Sequence, residues 1–224
     1  MKALIFDSGP LINLSMNGLL YILEELKKTF KGKFIITEQV KREVIDTPLS
    51  IERFELGAIR IQNLLTYGIL EMPSSLGIDE NKLRNDTKKL VDTVNHSVRI
   101  KSEPIHIVSD AEMSCLALSA ELNEKNIDNL IAIDERTTRV LFESPENLEK
   151  LMTEKFHQPV KVDLQNLRGL KDHKFIRSPE IVYVAYKKGL VHLEGKKVLE
   201  ALIFATKFKG SAISFDEINE LKKL

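Results

Sequence analysis

Apolar runs and helical spacings alternate along the chain, and their order predicts an α/β fold. Ala3-Leu4-Ile5-Phe6 is an unbroken apolar run ended by Asp7-Ser8-Gly9-Pro10, as expected of a strand buried on both faces. Leucine and isoleucine at helical spacing predict a helix from Leu11 through Lys28. Phe34-Ile35-Ile36, between Gly32 and Thr37, predicts a second strand. Thr37 can cap a helix from Glu38 to about Ile45, which Pro48 stops. Residues 51–66 are helical in pattern, and Ile69-Leu70-Glu71-Met72 is a weak third strand ending at Pro73.

Residues 74–104 are polar and charged, and a surface helix around Glu80 to Asn95 would make them an excursion from the core. Apolar character returns at Ile105 to Val108. The next helix, Ala111 to Leu122, carries Met113, Leu116, Ala117 and Ala120 on one side and Cys115, Leu118 and Leu122 on the other. A helix apolar nearly all round is a buried one. Ile131 to Ile133 is a fourth strand, a helix follows through about Met152, and Val160 to Val162 is a candidate fifth strand. Helices at about 178–189, 195–208 and 214–223 close the chain; Gly189 ends the first, and Ser214 with Glu217 caps the third. The expected architecture is a parallel sheet of four to five strands between helices on both faces. Residues 1–163 would form the main domain with an insertion at about 74–104, and residues 164–224 a helical extension packed on it.

Composition narrows the class. In 224 residues, 43% are hydrophobic and 29% charged, enough apolar material for a packed core. No apolar stretch approaches the roughly 18–20 residues of a membrane span. The single cysteine, Cys115, excludes an internal disulfide and a thiolate metal cluster. With no secretory signal in the first residues, that predicts a cytoplasmic protein. The 33 basic and 33 acidic side chains cancel overall, but residues 164–224 hold 12 Lys/Arg against 7 Asp/Glu, so the body is acidic and the end basic. Such a division suits an anion-binding enzyme, and it equally suits lysines that solvate surface helices.

Acidic residues stand where a parallel sheet would gather them. Asp7 ends the first apolar run and Asp134 the fourth. Glu43 lies at the edge of its helix's buried stripe, and Asp110 and Glu112 open the apolar helix. Ligands of open α/β sheets bind beyond the carboxyl ends of the strands. Carboxylates crowd together readily only around a hard cation such as Mg2+ or Mn2+. Each acid also has a local reading: Asp7 and Asp134 as N-caps, Glu43 as a flank residue, and Glu112 as the far half of a capping box with Ser109. Other chemistries lack their motifs. The five histidines have no HxxxH or HExxH spacing, Gly195-Lys196-Lys197 is not a P-loop, and no GxGxxG follows the first strand. Gly9 stands where an aspartyl-nucleophile phosphatase would carry a second aspartate.

Four segments carry a likeness: residues 5–14 with Asp7, residues 36–44 with Glu43, Asp110-Ala111-Glu112 leading into Leu116-Ala117-Leu118, and Ile133-Asp134-Glu135-Arg136 with Arg139. In order and spacing they resemble the PIN-domain nucleases, and the C-terminal helices resemble those of a toxin-like subgroup. The resemblance covers most of the chain outside residues 74–104. It implies a PIN-like three-layer fold, a Mg2+ or Mn2+ site and metal-dependent endoribonuclease activity on single-stranded RNA. A homodimer and a protein inhibitor are further partners it allows.

Carried over, the catalytic acids are Asp7, Glu43, Glu112 and Asp134, with Asp110 competing with Glu112 as a metal ligand. Ser8, Glu135, Arg136 and Thr138 would bind phosphate or orient the acids, with Glu135 standing where the family often has a second aspartate. Glu43 would help to generate the nucleophile from water. Lys187, Lys188, Lys196 and Lys197 would hold the RNA backbone. Aromatic residues are only 6% of the chain with no Trp, so phosphate positioning is expected over base stacking. The alternatives are a catalytically silent module that binds RNA or protein, and a metal-dependent phosphatase for small phosphate esters.

Overall fold

A computed structural model describes residues 1–167, 170 and 173–223. Strand β1 (Lys2–Phe6) is buried from Ala3 onward and feeds helix α1 (Ser8–Met16). The single helix expected over residues 11–28 is two, because Gly18 takes φ +68 and breaks it before α2 (Tyr21–Thr29). Strand β2 (Lys33–Ile35) follows, then the short helix α3 (Glu38–Lys41), which Thr37 caps through Val40 N–H. Helix α3 runs on into one π-helical turn, Arg42–Asp46. Helix α4 (Glu52–Thr66) and strand β3 (Leu70–Glu71) complete this half.

Helix α5 (Glu80–Ser97) is the helix expected in the polar segment, but it is no mere excursion. It buries Leu83, Thr87 and Val94 and leads into strands β4 (Val98–Ile100) and β5 (Glu103–Pro104). Helix α6 (Asp110–Glu124), against which α5 packs, is buried nearly all round. Strand β6 (Asp128–Ala132) follows, and Pro145 divides the next helical stretch into α7 (Arg136–Glu143) and α8 (Leu148–Phe156). Strand β7 (Val160–Val162), helix α9 (Leu164–Leu167), strand β8 (Phe175–Ile176) and helices α10 (Ser178–Lys187), α11 (Val198–Phe208) and α12 (Phe215–Leu221) end the chain.

The main sheet has five strands in the order β3-β2-β1-β6-β8, all parallel, flanked by helices. Its fifth strand is β8, not residues 160–162. Those residues pair antiparallel with β4 in a second sheet ordered β5-β4-β7. The core runs through Ile5, Phe6, Phe34, Leu116, Leu118 and Ile131, with Phe6 and Phe34 meeting edge to face at 5.6 Å. Among the described residues no helix is long and apolar enough to cross a membrane.

Gly32 sets how closely the turn before β2 approaches β1. A Cβ there would stand 2.5 Å from Lys2 O and 2.6 Å from the Phe30 ring. Gly32→Ala is therefore expected to cost about 1–3 kcal/mol, the usual penalty of overpacking against backbone. A shift of the urea midpoint without a change in slope would register it; an unchanged midpoint would mean that the turn gives way.

Strand order reverses between β1 and β6: the chain moves from β1 to β2 on one side and reaches β6 on the other. Their carboxyl ends lie level, Phe6 beside Ala132, and Asp7 N–H donates to Ala132 O at 2.9 Å. A crevice at such a switch point is where open parallel sheets bind ligands.

Candidate active site

A cleft of about 320 Å³ opens at this switch point, lined by Asp7, Ser8, Gly9, Ile12, Glu43, Ser109, Glu112, Asp134, Glu135, Lys209 and Gly210. The four acids expected to converge line one cavity. Asp7 is buried at the end of β1 and caps α1, its Oδ2 accepting Gly9 N–H at 3.3 Å. Capping and a place in the cleft are thus not alternatives. A methyl group on Gly9 would stand 3.5 Å from both Asp7 Oδ2 and Asp134 Cβ, so both aspartates lie close against this glycine.

Electrostatics set Asp7 apart. Burial above all, then repulsion from Glu112 and Glu43, pushes its pKa up to about 7 against the pull of the Ser8 and Gly9 N–H groups. Glu112 is half-buried and forms the expected capping box: Ser109 N–H donates to its Oε2 at 2.9 Å, and its own N–H donates to Ser109 Oγ at 3.2 Å. Burial still pushes its pKa up to about 6, with repulsion from Glu135 and Glu43 adding to it and Ser109 and Thr138 opposing. Thr138 Oγ1 is near enough to affect Glu112, yet it is buried with no well-aligned hydrogen-bond partner.

Glu43 is exposed on the π-helical turn and accepts Ser8 Oγ–H at 2.5 Å through Oε2. Turns of this kind are often found at functional sites. Asp134 is held in place rather than poised. Its Oδ1 accepts Ser178 N–H at 2.9 Å, and its Oδ2 accepts Ser178 Oγ–H at 2.6 Å and Asn13 Nδ2–H at 3.1 Å. Both lone pairs of Oδ2 are used, leaving one on Oδ1. The helix cap expected of Asp134 falls instead to Glu135, whose carboxylate accepts the N–H groups of Thr137 and Thr138.

Of the two competing acids at the start of α6, Asp110 is exposed and outside the lining, whereas Glu112 lines the cleft. Arg136 is exposed and also outside it, and Arg139 lies 3.8 Å from Glu143. Lys187, Lys188, Lys196 and Lys197 are exposed, and none lines the cleft. The lysine that does is Lys209, just beyond α11. The hydrophobic pattern gave no sign of it, since a residue after a helix end carries no periodicity. Asn13 also went unnoticed: it is buried and bridges Asp134 to Thr206 O at 2.8 Å.

The polar lining is oxygen-rich, with neither Cys nor His, which suits a hard cation. A buried and a half-buried carboxylate that resist ionisation, with no cationic side chain among the causes of their shifts, present the unsatisfied negative charge such an ion would neutralise. Among the described residues no group of three or more His, Cys, Asp or Glu stands in a ready ligand arrangement. Glu43, Glu112 and Asp134 each direct at least one carboxylate oxygen onto a protein donor. Compared with family models, curated proteins and solved structures, the chain matches none.

Proposed function

We propose that this chain is a divalent-metal-dependent ribonuclease of PIN-like fold that hydrolyses phosphodiester bonds within single-stranded RNA. The observation that carries the reading is the pair Asp7 and Glu112, a buried and a half-buried acid that line one cleft with Glu43 at the sheet's switch point. Asp7, Glu112 and Glu43 would hold Mg2+ or Mn2+, with the free lone pair of Asp134 Oδ1 completing the set. A divalent ion held there would supply charge neutralisation at the attacked phosphate and make a nearby water more acidic. Asp7 and Glu112 would hold such an ion in their ionised forms, so that its binding would release their protons. Glu43, on the exposed rim, is placed to take the proton of the attacking water at its carboxylate, with Ser8 Oγ–H fixing its orientation. Asn13 and Ser178 fix Asp134, and Lys209 faces the phosphate.

One observation favours a second reading, a module that binds RNA without cutting it: both oxygens of Asp134 already have hydrogen-bond donors. Titrating Mn2+ into a cleavage assay on labelled single-stranded RNA separates the two. Cleavage that rises with Mn2+, stops with chelator and falls at least 100-fold in Glu112→Gln is expected, a loss beyond the 10–100-fold typical of supporting groups around a metal. RNA bound but left intact at saturating Mn2+ would establish the silent module.

A further inference from the structure

The α11–α12 corner carries an aromatic and basic surface that adjoins the acidic cleft at Lys209. Three of the chain's 10 phenylalanines meet there. Phe204 and Phe208 stack with ring centroids 6.0 Å apart and planes 19° from parallel, and Phe204 meets Phe215 at 6.2 Å. Phe204 is partly buried against Ile203, Ile213, Ile218 and Leu221, but Phe208 is 72% exposed and Phe215 59%. Lys207 lies with Nζ 4.5 Å from the Phe215 centroid and also donates to Ile213 O, which fixes this ring and cation together. Lys209 follows at once, exposed and on the cleft wall, and among the described residues it forms no ion pair.

The corner is also tied to the acids. Ala212 N–H donates to Asp134 O at 3.0 Å, and Asn13 joins Thr206 O to the Asp134 carboxylate. Aromatic faces interleaved with lysines suit a single-stranded nucleic acid, whose bases stack while its phosphates pair with cations. A second copy of the chain would bring the same lysines against each other, so charge favours the polyanion.

On the ribonuclease reading, we propose that this corner is a substrate subsite: Phe208, backed by Phe204, stacks an unpaired base, and Lys209 holds the phosphate leading from that base into the cleft.

Binding of a fluorescein-labelled single-stranded oligoribonucleotide in chelator, followed by anisotropy, tests the subsite without turnover. Phe208→Ala is expected to weaken binding about 10-fold, within the range for one stacked base, and Phe208→Trp to restore it. Lys209→Gln is expected to flatten the plot of log affinity against log salt by about 0.7, the value for one lost phosphate contact on a single strand. Each variant must melt as the parent does. Phe208→Ala binding within twofold of the parent overturns the subsite, even where metal-dependent cleavage by the parent upholds the nuclease reading. A parent that neither binds nor cleaves overturns both. A parent that sediments as a dimer which Phe208→Ala dissociates, with binding unchanged, assigns the patch to a second copy and overturns the subsite.

Discussion

Asp7→Asn is expected to make the metal-free protein more stable while removing metal-dependent cleavage. The carboxyl of Asp7 titrates near 7 in the fold against an ordinary value of 3.8. Between those values the folded chain holds a proton that the unfolded chain has lost, so stability falls as pH rises from about 4 to about 7 and stays low above. At 1.36 kcal/mol per pKa unit, the penalty at pH 8 has a ceiling on the order of 4 kcal/mol. Asparagine removes the charge and keeps an oxygen to accept Gly9 N–H, and Asn is as good an N-cap as Asp. A gain of roughly 10 °C in melting temperature at pH 8 is the expected size for a chain of this length. The two proteins should converge below about pH 4, where both unfolded and folded Asp7 are protonated. Mn2+ should raise the melting temperature of the parent and leave the variant unmoved. Scanning calorimetry across pH, with and without Mn2+, reads all of this. A variant less stable than the parent at pH 8, or one that Mn2+ stabilises equally, would contradict the account of Asp7.

Asp134→Ala should do the opposite and loosen the fold. The carboxylate satisfies three donors on two elements, Ser178 N–H, Ser178 Oγ–H and Asn13 Nδ2–H, all in the interior. Removing it leaves those groups without partners beside a new cavity, a loss of about 3–5 kcal/mol. The damage should spread to the C-terminal helices, because α10 begins at Ser178 and the Asn13 bridge continues to Thr206 in α11. Urea unfolding and hydrogen exchange of α10 and α11 measure it. Stability within 1 kcal/mol of the parent, or unaltered exchange there, would show that Asp134 is dispensable to the architecture.

These two aspartates look alike in sequence, each at the carboxyl end of an apolar run, and the structure gives them contrasting surroundings. The strand, the turn and the acid are local features, so β1, β6 and the gathering of acids at one edge were legible. The same holds for the Ser109–Glu112 and Ser214–Glu217 capping boxes, whose partners stand only three positions apart. What was not legible depends on contacts between distant segments. Asp134 is satisfied by Ser178, 44 residues on, and by Asn13, 121 residues back, and no spacing rule announces either. Val160–Val162 is a strand as expected, but apolar alternation does not say which strand it will join; β4 took it. The true fifth strand, Phe175–Ile176, is two residues long and too short to show a period. Glycine 18 could have warned that residues 11–28 would break, since a left-handed residue interrupts a helix.

Glu217 shows how the C-terminal hairpin is held. Burial works against its carboxylate, but the Ser214 N–H and Arg177 outweigh that and keep its pKa at about 2. Arg177 donates to Glu180 and, at 2.7 Å, to Glu217, joining the start of α10 to α12.

The hooks on Asp134 also impose an order in time. During synthesis the strand-end acids emerge before Ser178, Thr206 and Ala212, which pin Asp134 and the cleft's lysine-bearing wall. A nascent chain therefore displays an unfinished pocket until that segment has left the ribosome's exit tunnel. Closure of the cleft therefore waits on residues that are synthesised after all four of its acids.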